Sequence, residues 1–486
     1  MRQGKPCPSP PRDTTDLAGF RHVKRKGVSP VSEQNFDLVV LGAGSGGYAA
    51  ALRYAQLGKS VALIEKDKVG GTCLHVGCIP TKALLHSAEV ADVTRESAKY
   101  GVNSEFSGID IAAVTAYREG IVAGKWKGLQ GLIKGRGITT IEGTGRLTSP
   151  NTVQVGEQTI TGTNVILATG SYSRSLPGLE IGGRVITSEQ ALALDFVPKK
   201  VAVLGGGVIG VEFSSVWKSW GADVTIIEAL PHLVPNEDES ISKHFERAFR
   251  RRGIDFKVGV RFSGVTQNES GVVVTLENGE TVEAELLLVA VGRGPLTANL
   301  GYEEVGVQLD RGFVVVDENL QTTVPGVYAV GDIVPGLQLA HRGFQQGIFV
   351  AEKLAGLDPI RVEDVNIPKV TYSDPEVASV GLTQAKAEEK YGAENLTVAE
   401  YNLAGNGKSH IIGTSGVIKA IRVNDGPVVG VHMIGARVGE LIGEAQLVVD
   451  WDAYPEDIAP YIHAHPTQNE ALGEAFLALA GKPLHG

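Results

Sequence analysis

The run Phe36-Asp37-Leu38-Val39-Val40-Leu41 is short, mainly apolar and closed by Gly42, the pattern of a buried strand. A near copy recurs at Val201-Ala202-Val203-Leu204. Each run leads into a glycine cluster, an Ala- or Val-rich helical stretch and a second apolar strand that ends in an acid. This order predicts two βαβ units of the dinucleotide-binding kind. From about Pro368 the pattern changes to the apolar strands Val417 to Val423 and Val428 to Ile434, followed by Ala-rich helices, which predicts a third, α+β domain. Residues 1–34 carry Pro, Ser, Lys and Arg with almost no apolar periodicity, so a disordered tail is expected there. Asp13, Asp16 and Glu33 weigh against a transit peptide in that stretch. The expected organisation is α/β: two Rossmann-like domains over 35–178 with 292–362 and over 179–291, then an α+β domain over 363–486.

Composition narrows the possible functions. A chain of 486 residues exceeds a single core, and 62 glycines suit many strand-helix junctions. The net charge of -10 argues against a nucleic-acid partner, since phosphate binding needs a concentrated excess of Lys and Arg. No apolar run has the length of a bilayer span and no secretory core precedes Phe36, so a cytoplasmic protein without a membrane partner is expected. Of the three cysteines, Cys7 lies in the tail, while Cys73 and Cys78 stand five positions apart. That spacing suits redox or metal chemistry better than a structural disulfide framework. Zinc needs four ligands, and no second Cys/His pair occurs at ligand spacing, so no metal is expected.

The glycine clusters carry the first specific chemistry. Gly42-Ala43-Gly44-Ser45-Gly46-Gly47 fits G-x-G-x-x-G, and Glu65 ends the next strand. The first glycine allows a tight turn, the second admits a pyrophosphate to the backbone, and the third lets helix and strand pack. The helix N-terminus supplies positive potential, and Glu65 is positioned for ribose hydroxyls. Gly205-Gly206-Gly207-Val208-Ile209-Gly210 repeats the arrangement, with Glu228 after the strand Val224-Thr225-Ile226-Ile227. An acid there favours a free 2′-hydroxyl, and Ala229-Leu230-Pro231 holds no Arg for a 2′-phosphate, so NAD is preferred over NADP.

The segment Gly70-Gly71-Thr72-Cys73-Leu74-His75-Val76-Gly77-Cys78-Ile79-Pro80-Thr81-Lys82 resembles the redox-active motif of the pyridine nucleotide-disulfide oxidoreductases, in the form carried by their dihydrolipoyl dehydrogenase branch. His75 stands where most members have Asn, and Thr81 where most have Ser. The resemblance extends from about Phe36 to the C-terminus. Ala168-Thr169-Gly170 looks like the crossover to the second nucleotide domain, and Tyr328-Ala329-Val330-Gly331-Asp332 resembles the second flavin motif. Gln346 occupies a position where the family often has Glu, and no role follows for His341. Near the end, His463-Ala464-His465-Pro466-Thr467-Gln468-Asn469-Glu470 is similar to the catalytic signature.

The resemblance implies FAD in the first unit, with Gly42, Gly44, Gly47, Glu65, Lys82, Gly170, Gly331 and Asp332 around it. It implies NAD in the second, with Gly205, Gly207, Gly210, Glu212, Glu228 and Gly292. Lys82 and Glu212 are expected to pair near the flavin and nicotinamide, and Cys73 and Cys78 to form the redox disulfide. His465 is the expected base, oriented by Glu470 and supplied by the partner subunit of a homodimer built through the C-terminal domain. The activity implied is oxidation of dihydrolipoamide with reduction of NAD, on lipoyl domains of 2-oxo acid dehydrogenase complexes or of the glycine cleavage system. Another FAD-dependent reductase of the glutathione or mercuric type, or a non-catalytic nucleotide-binding subunit, stands as the alternative. Regular helix would separate the two thiols by about 7.5 Å along its axis, too far for disulfide Cβ atoms that approach to about 4 Å. A local break at Gly77 is therefore expected, with Pro80 opening the regular helix.

Overall fold

The computed structural model describes residues 33–485. Its first sheet is built on four parallel strands in the order Thr139–Glu142, Val61–Glu65, Glu33–Leu41 and Gln158–Leu167, with Val327–Ala329 added in parallel to the last. Thr152–Val155 and Gly145–Ser149 extend it in antiparallel fashion. Leu38, Val39 and Val40 are fully buried, as continuous apolar strands must be when both faces of a parallel sheet are covered. The helices Ser45–Gln56 and Ala340–Leu354 cover one face, packed so closely that a Cβ on Gly347 would lie 2.2 Å from the Gly46 carbonyl oxygen.

The expected tail over 1–34 lies outside the described residues except at its end, and Cys7 lies outside them entirely. There the structure moves the boundary. The first strand begins at Glu33 rather than Phe36, because Glu33 to Asn35 pair with Thr159 to Thr161 of the long neighbouring strand. Backbone hydrogen bonds to that neighbour hold polar residues that carry no hydrophobic signal.

The chain passes between the first two sheets through the antiparallel pair Ser171–Ser173 and Arg293–Pro295. The second sheet has five parallel strands in the order Asp255–Lys257, Asp223–Ile227, Lys200–Leu204, Leu286–Val289 and Val185–Ile186. A three-stranded antiparallel sheet, Phe262–Gln267, Val272–Leu276 and Thr281–Ala284, flanks it. The third sheet is antiparallel throughout, in the order Lys369–Thr371, Glu376–Gly381, Val428–Gly435, Val417–Val423 and Leu396–Asn402. Val438–Asp450 and Glu470–Leu479 pack on it, while Glu239–Arg251 of the second unit reaches the strand Val428–Gly435. Across that contact, Lys419 Nζ donates to Asp238 Oδ1 at 2.8 Å with both side chains buried. Among the described residues, no helix is long and apolar enough to cross a membrane.

Candidate active site

The two glycine loops fold alike, atom for atom. Gly42 N–H donates to the Ile64 carbonyl and Ala43 N–H to Glu65 Oε2, each at 2.8 Å. In the second unit Gly205 N–H donates to the Ile227 carbonyl at 2.8 Å and Gly206 N–H to Glu228 Oε2 at 2.7 Å. Gly42 and Gly205 adopt φ of +102° and +112°, where a Cβ would also lie 2.3 Å from the Ala168 and Ala290 carbonyl oxygens. Gly47 and Gly210 each let helix meet loop, since a Cβ on either would lie 1.9 Å from the carbonyl oxygen of Gly42 or Gly205. Only the middle glycines, Gly44 and Gly207, have open space on the Cβ side. They precede Ser45–Gln56 and Val208–Ser219, whose N-termini carry no side-chain cap and leave backbone N–H groups for an anion.

Both middle glycines open onto one cavity of about 1530 Å³. This exceeds the roughly 300–1,000 Å³ of a site for one small molecule. Two anion cradles, two carboxylates pinned by the loops beside them and this volume fit a pair of dinucleotides. Gly44, Lys82, Gly170, Gly331 and Asp332 line the cavity on the first-unit side, and Gly205, Gly207, Glu212, Glu228 and Gly292 on the second. Gly42, Gly47, Gly210 and Glu65 do not line it. The three glycines act through backbone approach, and Glu65 holds the Ala43 and Asp67 N–H groups.

Cys73 and Cys78 line the cavity between these halves, and both are free thiols. Cys73 sits in the short helix Gly71–His75 and Cys78 begins the helix Cys78–Glu96. The break falls at Val76–Gly77, where a Cβ on Gly77 would lie 2.9 Å from the Thr72 carbonyl oxygen. The helix opens at Cys78 rather than Pro80, which fits within its first turn where its missing N–H costs nothing. A hydrogen bond from Cys73 is the largest influence on Cys78 and pulls its thiol down to about 7; burial opposes this and the Lys82 cation assists it. The same bond, then burial, push Cys73 up. Of the two thiols, Cys78 is thus the one held nearer the thiolate form.

Lys82 Nζ donates to Glu212 Oε1 at 2.9 Å and to Oε2 at 2.8 Å. Burial pulls the Lys82 ammonium down, but the Glu212 carboxylate outweighs it and holds Lys82 above its ordinary value. The Lys82 cation therefore favours the anionic form of Cys78. The two departures from the family pattern are accommodated in the fold. Thr81 Oγ1 donates to the Gly77 carbonyl at 2.6 Å, and His75 Nε2 lies 3.0 Å from the Val69 carbonyl with its ring edge-on to Trp126.

His465 and Glu470 are brought together, but not to the cavity of their own chain. His465 Nδ1 stands 2.9 Å from Glu470 Oε1, and the Thr467 N–H donates to Glu470 Oε2 at 2.7 Å. Desolvation pushes the Glu470 carboxyl up, and these two bonds outweigh it and leave it below the usual range. The neighbouring His463 is spent on Glu444, 2.9 Å away, with its side chain 11% exposed against 79% for His465. Only His465 is free to serve another surface.

Several site residues escaped the sequence reading. Gln346 is buried, and its Oε1 accepts the Gly331 N–H at 2.8 Å, fixing the turn before Asp332. Ser171 Oγ donates to Asp332 Oδ2 at 2.5 Å and accepts from Arg293 Nε at 2.8 Å. Arg261 lines the cavity with Glu228, far along the chain from the Ala229-Leu230-Pro231 stretch. Tyr372 lines it from the third domain. Gln346 stood out as an exception to a motif; the others carry no local signal.

Residues 36–347 match the family described as pyridine nucleotide-disulphide oxidoreductase, and residues 367–476 its dimerisation domain. The chain is 40% identical over 470 residues to the mitochondrial dihydrolipoyl dehydrogenase of Pisum sativum, covering 93% of each. It is 39% identical over 471 residues to a dihydrolipoyl dehydrogenase of Bacillus subtilis, covering 93% of this chain and 99% of that one. The crystal structure of LpdA from Mycobacterium tuberculosis superposes with a TM-score of 0.85 at 26% identity, covering 92% of this chain and 99% of the other.

Proposed function

The chain belongs to the pyridine nucleotide-disulphide oxidoreductase family, and from that premise we infer that it works as a dihydrolipoyl dehydrogenase, a homodimer using FAD and NAD. The observation that carries this reading is the Cys73 and Cys78 pair, with Lys82 and Glu212, in one cavity between two dinucleotide cradles. Gly44 and the N-terminus of Ser45–Gln56 hold the FAD pyrophosphate, and Gly207 with Val208–Ser219 holds that of NAD. Glu228, which lines the cavity, would take ribose hydroxyls with the lone pairs its backbone bonds leave over, and Glu65, set back from the lining, would reach a ribose only at the edge of its loop.

In the catalytic direction the pair begins as the Cys73–Cys78 disulfide. A dihydrolipoamide thiol gives its proton to His465 of the partner subunit and attacks Cys73 Sγ, and the S–S bond breaks to leave Cys78 as thiolate. The second substrate thiol then attacks the substrate sulfur of the mixed disulfide, closing lipoamide and breaking its bond to Cys73, which leaves and takes up the proton that the attacking thiol gives up. Substrate has lost two electrons and the cysteine pair has gained them. Bound flavin supplies the route by which that pair of electrons reaches NAD. Glu470 keeps the partner's His465 in one orientation, and Lys82 stabilises the Cys78 thiolate.

The substrate is borne by lipoyl domains of a 2-oxo acid dehydrogenase complex or of the glycine cleavage system, in the cytoplasm. The test is the rate of NAD reduction by the purified FAD-loaded protein, with free dihydrolipoamide, a lipoylated domain or glutathione as donor and NADP as rival acceptor. Turnover restricted to the two lipoyl donors with NAD is expected; glutathione turnover with NADP would overturn the reading.

A further inference from the structure

Tyr372 follows the strand Lys369–Thr371 of the third domain, yet it meets the ion pair formed by the first two. Its backbone N–H donates to Glu212 Oε1 at 2.9 Å, and its ring centroid lies 4.8 Å from Lys82 Nζ. Lys82 comes from the helix that begins with Cys78, and Glu212 from the helix after the second glycine loop. All three residues line the cavity. Glu212 holds the ammonium from one side through two hydrogen bonds, and the Tyr372 ring presents a π face to it from another.

We propose that Tyr372 is a positioning residue: its ring holds the Lys82 ammonium beside Cys78 and so keeps that thiol in its reactive anionic form. This rests on the role given above to Lys82. Lys82 stands one turn beyond Cys78 on the helix Cys78–Glu96, and both line the cavity with Cys73 and Glu212. Of the charges that Cys78 faces there, Lys82 favours a thiolate and the Glu212 carboxylate opposes it. A lysine drawn further onto Glu212 would leave Cys78 with less cation and the same anion. Tyr372 itself faces the Lys82 cation and the carboxylates of Glu376, Glu440 and Glu212. The backbone N–H on Glu212 persists whatever side chain follows it, so the ring's effect on Lys82 can be tested separately.

The test is the pH profile of Cys78 alkylation by iodoacetamide in the reduced protein, mapped by mass spectrometry with excess FAD present to equalise occupancy. Tyr372→Phe keeps the π face and should overlay the unsubstituted protein. Tyr372→Leu and, as a second variant, Tyr372→Met should each move the midpoint up by about half a pH unit or more. Unmoved midpoints in both, or a Phe variant shifted as far as the Leu variant, would overturn the proposal. Lys82→Met separates the two levels of the argument. If it leaves the midpoint in place, the role of Lys82 fails; if it raises the midpoint while the Leu and Met variants do not, the role of Tyr372 alone fails.

Discussion

His465 Nδ1 stands 2.9 Å from Glu470 Oε1, while neither residue lines the cavity that holds Cys73 and Cys78. On the proposed function, an imidazole outside its own chain's cavity acts across a subunit boundary. The C-terminal match to a dimerisation domain makes that boundary available. The arrangement leads to a complementation experiment. His465→Ala and Cys73→Ser homodimers should each lose activity, the former by about 10²- to 10⁴-fold as for loss of a general base. Heterodimers of the two variants contain one site with both residues intact and should recover about half the wild-type rate per dimer, as one of two sites. Mixed dimers as inactive as the parents would place the base and the thiols in one subunit.

The thiol pair predicts a pH dependence. Cys78 is lowered to about 7 by the Cys73 hydrogen bond and, against burial, by Lys82. A lowered thiol value means more thiolate at a given pH, so alkylation of Cys78 in the reduced protein should rise through a midpoint near 7. Cys73→Ala removes the donor and should raise that midpoint toward the range of an ordinary thiol. Rates from stopped alkylation across the pH range give the result directly.

Cofactor choice follows from Glu228, which is buried with Oε2 on the Gly206 N–H at 2.7 Å and Oε1 on the Leu230 N–H at 2.8 Å. A 2′-phosphate would meet a carboxylate that cannot swing away. Glu228→Ala should reduce the preference for NAD over NADP by about tenfold or more, through a better kcat/KM for NADP and a worse one for NAD. Steady-state kinetics with both acceptors decide it, and an unchanged ratio would assign the discrimination elsewhere.

Stability should depend on the buried pair between the second and third domains. Asp238 is pushed up by desolvation, yet the Lys419 hydrogen bond and the Gln384 N–H bring it down to about 2. A carboxyl held below its unfolded value stabilises the folded state above about pH 4, and that contribution is lost as pH falls toward 2. Lys419→Met leaves the Asp238 charge buried without its cation and should cost about 3–5 kcal/mol near neutrality. The deficit should narrow on acidification toward pH 4, because the stranded carboxyl can then bind a proton. Urea unfolding of both proteins at two pH values measures this.

What could be read from the sequence is local. The strand at Val39, the glycine spacing at Gly42 to Gly47 and its copy at Gly205 to Gly210, the acids Glu65 and Glu228, and the break at Gly77 each express a constraint between neighbours in the chain. Backbone sterics and hydrophobic periodicity act over a few residues, so these features survive in one dimension. Pairings such as Ser171 with Asp332, Gln346 with Gly331, Lys419 with Asp238 and Tyr372 with Glu212 belong to another class. Each polar group finds its partner only after separate elements have packed, and nothing near Tyr372 in the sequence marks it as a neighbour of Lys82. The same holds for Glu33 and Gln34, polar residues that become strand because a neighbouring backbone is there to bind them. Local chemistry determined which groups could react; tertiary packing decided which charges surround them, because an electrostatic field depends on distance through space and not along the chain.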